Sequence, residues 1–95
     1  MYRSAPPPPT LENVRATLAS ARTALERQRA LETKFRRSMA LGALRLGSYV
    51  PDDQRFEIGA QARADGTRIE DLRERIAALV DLVSGLEQLE KEAEG

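Results

Sequence analysis

The chain has 95 residues, no Cys, no His, no Trp and equal numbers of acidic and basic side chains. That composition excludes disulfides, thiol nucleophiles and imidazole chemistry, and it limits the chain to one small domain. The zero net charge hides a segregation: residues 1–48 carry nine Lys/Arg against three Asp/Glu, and residues 49–95 carry six against twelve.

Residues 1–10 form a Pro-rich tail. Pro6 to Pro9 favour polyproline II and cannot enter a helix interior. Arg3 followed by Pro6-Pro7-Pro8-Pro9 fits the form of a proline-rich ligand, and a simple spacer explains it equally well. No hydrophobic core of a signal peptide precedes the prolines and no apolar run has the length of a membrane span, so the expected compartment is the cytoplasm. The Ala/Arg-rich, Lys-poor usage suits a bacterium.

Thr10 is placed to cap a helix, with Glu12 favourable in its first turn. From Leu11 the spacing alternates three and four through Val14, Leu18, Ala21, Leu25, Gln28, Glu32, Phe35, Met39, Gly42 and Leu46. This is a heptad seam on a helix of about 11–46, with two polar positions in its middle. Gln28 and Glu32 are read either as a buried polar layer or as a solvent-facing gap, with Leu31 as a partial substitute.

Residues 47–51 form the turn. Gly47 is expected to stop the first helix in the left-handed conformation, and Pro51, Asp52 and Asp53 to open the second. That helix is expected over about 52–92. Ile58 and Ala62 are in phase with a later seam of Ile69, Leu72, Ile76, Leu79, Val83 and Leu86 that Ala93 completes. Asp65-Gly66 and the capping-box form of Thr67 to Glu70 nevertheless predict a kink or short break at 65–66. The end from Glu90 is expected to fray.

The fold class is therefore all-α: an antiparallel, coiled-coil-like helical hairpin. Val80, Leu82 and Leu89 widen the second seam beyond what one partner helix covers. The expected binding surface is Leu79, Val80, Leu82, Val83, Leu86 and Leu89, buried in a dimeric four-helix bundle or docked on another protein. The leading function is a non-enzymatic interaction module: an adaptor, a chaperone or a small assembly subunit.

Arg15, Arg22, Arg29 and Arg36 recur every seven residues beside the first seam, where they are expected to cover the core edge and pair with Glu/Asp of the second arm or of another subunit. The competing reading is DNA binding through Arg29, Lys34, Arg36 and Arg37, opposed by the neutral total and by the scarcity of aromatics. Glu70 and Glu74 share a helix face but interleave with Arg73 and Arg75, so no catalytic residue, metal ligand or cofactor is expected.

Arg36-Arg37-Ser38-Met39-Ala40-Leu41-Gly42-Ala43-Leu44 ends the basic helix in the form R-R-x-x-x-L-G-x-L. This segment resembles the small TraD- or MobC-type accessory proteins of plasmid conjugation and mobilisation, in which a basic coiled-coil helix leads into a similar Leu-Gly stretch. The resemblance covers about residues 25–47, with Phe35 standing where that family usually has Thr. It implies a role in DNA processing at a transfer origin, with Arg36 and Arg37 as phosphate contacts. In architecture the chain is also similar to small helical hairpins of bacterial secretion, the type III needle-subunit co-chaperones and the WXG-type secreted proteins. It lacks the Trp that defines the latter.

Overall fold

The computed structural model describes residues 10–95; the Pro-rich tail and its ligand-like motif lie outside them. Two helices, α1 (Leu11–Leu46) and α2 (Asp52–Glu94), pack along each other as an antiparallel hairpin. Its extents are 69 × 33 × 14 Å, so the molecule is a single layer about one helix thick.

Thr10 caps α1 as expected, its Oγ1 accepting from the Asn13 N–H at 3.2 Å. The other end differs from expectation. Gly47 sits at φ −73°, in the right-handed region, and among the described residues no glycine has a positive φ. The Gly47 N–H donates to the Ala43 carbonyl at 3.1 Å, and the Ser48 N–H donates to that of Arg45 at 3.2 Å. Ser48 Oγ donates to the Leu44 carbonyl at 3.2 Å. The serine hydroxyl and a tightened last turn thus satisfy the terminal carbonyls that a left-handed residue would otherwise serve. The chain then cannot resume a helix before Pro51, whose ring disfavours helical backbone at Val50.

Pro51 stands one place earlier than a first helical position. At φ −57°, ψ 149° it is the N-cap residue, and its carbonyl accepts from the Arg55 N–H at 3.0 Å. Asp52 and Asp53 fill the first turn, where the helix dipole favours them.

α2 runs unbroken through Asp65 and Gly66. The break that this dipeptide suggests is not made, because position 65 lies on the seam. Residues 58, 62, 65, 69, 72, 76, 79, 83, 86 and 90 are all buried or half-buried, in continuous four–three spacing. Interrupting the helix would put the Ile58 end out of phase with α1. Thr67 caps nothing; its hydroxyl donates back to the Arg63 carbonyl at 3.2 Å within the helix. The C-terminal end is helical to Glu94 rather than frayed, since Arg15 of α1 holds both Glu90 and Glu94. Glu90 takes the seam position next after Leu86, and Ala93 is exposed.

The buried apolar residues are Val14, Leu18, Ala21 and Leu25 on α1, and Ile58, Ile69 and Leu72 on α2. In an antiparallel pair these two groups lie at opposite ends. At the open end α1 is well covered, while Leu79, Val83 and Leu86 of α2 stay half-exposed. At the turn end α2 is well covered, while Phe35, Met39 and Leu46 of α1 stay half-exposed. A Cβ on Gly42 would stand 3.4 Å from Ile58 Cγ2, at van der Waals contact, so the two helices lie close together beside the turn.

Gly66 lies inside an intact helix with open space around it. Gly66→Ala should therefore stabilise the hairpin by about 0.5–1 kcal/mol through backbone entropy, read as a raised midpoint in thermal unfolding followed by circular dichroism. A lowered midpoint would mean that the helix breaks there.

Candidate functional site

The seam leaves two long edges, one on each side, and the contacts tell them apart. Arg15 donates from Nε to Glu90 at 3.3 Å and from Nη2 to Glu94 at 2.8 Å, and Arg22 Nη2 reaches Glu87 at 3.4 Å. These pairs define an ionic edge. The hydrogen bond to Glu94, then that to Glu90, hold the Arg15 guanidinium above its ordinary range.

The expected ladder of four arginines is completed only halfway. Counting inward by heptads from Arg22 and Glu87 sets Arg29 level with Val80 and Arg36 level with Arg73. Neither offers a carboxylate, and Arg36 donates instead to Glu32 on its own helix at 3.2 Å. Glu32 is thus half-buried but tied within α1. The Gln28 Oε1 is buried without a hydrogen-bond partner. The polar middle of the seam is therefore enclosed, and neither residue bonds across to α2 among the described contacts. Leu31 does not substitute for it, being 39 % exposed.

On the opposite edge, Ser38 and Gln61 line one cavity of about 390 Å³ near the turn, with Asp65 and the cations Lys34, Arg37 and Arg45. Two heptads back from Ser38 is Ala24, and three heptads on from Gln61 is Leu82, so both lie on this edge at the open end. Arg68, one heptad from Gln61, lies over the Phe35 ring at 5.2 Å.

The six residues expected to form one binding stripe are accordingly distributed over three places. Leu79, Val83 and Leu86 sit half-buried on the seam against α1. Val80, 41 % exposed, is one heptad from Glu87 on the ionic edge. Leu82, 48 % exposed, and Leu89, 40 % exposed, stand on the opposite edge. The cause is helix geometry: residues 80 and 82 are two steps apart, about 200° around the axis.

The four expected DNA contacts are split as well. Arg29 and Arg36 belong to the ionic side, whereas Lys34 and Arg37 line the cavity with Arg45, a residue outside the expected set. Asp65 reads in the sequence as part of a turn, not as a seam residue. It is 1 % exposed; its Oδ1 accepts from Gln61 Nε2 at 2.9 Å and its Oδ2 has no partner. The signal for it was the unbroken four–three count through position 65.

Among the described residues no three potential metal ligands converge, and no helix is long and apolar enough to cross a membrane. No family model, curated protein or solved structure matches the chain.

An unpaired buried carboxylate oxygen costs roughly 1–3 kcal/mol, and an apolar residue at a seam position costs nothing comparable. Asp65→Leu should raise the stability of the hairpin by roughly that amount in denaturant unfolding, at unchanged helicity. A destabilised variant would show that Oδ2 has a partner in solution.

Proposed function

We propose that the chain is a non-enzymatic protein–protein interaction module of the bacterial cytoplasm, an adaptor, chaperone or small assembly subunit, that binds by pairing its second helix with another helix. The observation that carries this reading is the uncovered apolar surface at the open end of α2. There Leu82 and Leu89 project from an edge while the neighbouring seam residues Leu79, Val83 and Leu86 are only half-covered. Among the described residues no second layer covers them, and domains complete their cores by layer-on-layer packing. Each large apolar side chain moved from water into an interface contributes about 1.5–3 kcal/mol, so a helix laid on this edge gains from several.

A second reading, a DNA-binding accessory protein of plasmid mobilisation, is favoured by one feature: Lys34, Arg37 and Arg45 gather on one cavity. Arg37 belongs to the segment that resembles that family. Against it, Arg36 is engaged by Glu32 and lies with Arg29 toward the ionic edge.

Two experiments separate these readings. With a photo-reactive residue in the full chain in cells, position 82 should give a discrete cross-linked adduct and position 73, on the ionic edge, should not. Equal labelling from both positions, or none from 82, would remove the helix-pairing reading. Duplex DNA affinity that falls steeply with added salt and is lost in Arg37→Glu would establish the second; salt-insensitive or absent binding would dismiss it.

A further inference from the structure

Along the exposed edge of α2 at the open end, Arg75, Ala78, Leu82, Gly85, Leu89 and Glu92 succeed one another in three–four spacing. All six are exposed. They make a second heptad seam on the same helix, rotated away from the one that meets α1. The charges stand at its two ends, with opposite signs, and the four positions between them are uncharged and alternate small and large.

This order is self-complementary in one direction only. Consider a two-fold axis that crosses α2 between Leu82 and Gly85. It sets Leu82 opposite Gly85 of a second copy, Leu89 opposite Ala78, and Arg75 opposite Glu92. Every leucine then enters a gap left by a small residue, and both charged ends meet the opposite sign. With the two helices parallel, Arg75 would face Arg75, Leu82 would face Leu82 and Glu92 would face Glu92. An isologous two-fold contact is also the commonest way in which identical chains close on themselves.

We propose, resting on the helix-pairing reading above, that the occupant of this edge is a second copy of the chain, joined α2 to antiparallel α2 about that axis to form a four-helix assembly. Glycine at position 85 serves the contact rather than the hairpin: nothing lies within 4 Å of a Cβ built there. A glycine deep inside a long helix lowers helix stability, and a close approach of another backbone is what such a residue permits. The half-exposed Leu79 and Leu86 lie one step inside this second seam and would be covered by the same partner. Asp81, one step outside, comes near its own counterpart beside the axis, a like-charge contact on the solvent side that tempers the affinity.

The test is sedimentation equilibrium of the full chain over a concentration series, with helicity followed in parallel. The wild-type chain should be a reversible dimer. Arg75→Glu alone and Glu92→Arg alone should each weaken it by about tenfold, because symmetry repeats the like-charged contact. Mixed in equal amounts, the two variants should recover wild-type affinity, since the heterodimer restores opposite signs at both ends. Gly85→Leu should raise helicity and abolish the dimer, and Leu82→Glu should weaken it by at least about a hundredfold. A dimer indifferent to Gly85→Leu, or swapped variants that fail to recover on mixing, would overturn the antiparallel seam. A wild-type chain monomeric at every concentration would overturn the second copy as occupant. A discrete adduct from position 82 with a different chain would then still uphold the helix-pairing reading.

Discussion

Every feature of this hairpin follows from a limit of geometry: two helices in contact can cover only one narrow face of each other. With no third element among the described residues, the core is one row of side chains, and whatever the sequence places beside that row meets water. The row itself is satisfied by unequal contributions. α1 supplies the well-buried residues at the open end and α2 supplies them at the turn end. Each helix therefore carries an apolar surplus where the other is the better covered. At the turn end the surplus of α1 lies beside a cavity rimmed by cations. At the open end the surplus of α2 includes Leu82 and Leu89, on an edge whose positions between Arg75 and Glu92 carry no charge.

The ion pairs do a different job. They lie on one edge, they are largely solvent-exposed, and such pairs add little stability. Their effect is on register. The short link between Leu46 and Asp52 imposes the antiparallel direction, the opposite charge of the arms lets them lie side by side, and Arg15 ties the last turn of α2 to the first turn of α1. Where α2 offers Val80 and Arg73 in place of carboxylates, the ladder stops and Arg36 turns to Glu32. The register is marked by the individual pairs of Arg15 and Arg22, not by the segregation of charge as such.

Much of this architecture was legible in the sequence because alternating three–four spacing is a property of the chain alone. The two helices, the turn at 47–51 and the α1 seam from Leu11 to Leu46 are read directly from it. Local signals failed where the tertiary seam overrode them. Asp65-Gly66 has turn chemistry and Thr67 has cap chemistry, yet keeping Ile58 in phase with Ile69 requires an intact helix between them. Gly47 has the identity of a left-handed stop, but Ser48 already satisfies the carbonyls. The apolar positions of the later α2 segment were visible as an excess. Their division between seam and two edges was not, because it depends on where α1 lies, and an excess of apolar residues in a sequence has no direction until its neighbour is placed.

Polar residues on the seam complete the physical picture. Gln28 and Asp65 each leave a buried oxygen unpaired, and Glu32 is held only by its own helix. In a core this thin each such group is a large fraction of the net stability, since a single buried unsatisfied group costs about as much as one well-buried side chain contributes. The hairpin is therefore weakened along its middle and turn half, where Leu41, Leu44 and Phe56 are also exposed, while Val80, Leu82 and Leu89 are exposed on the open half of α2. The apolar residues exposed at the open end are what favour the proposed pairing of α2 with a further helix, which would add stability there.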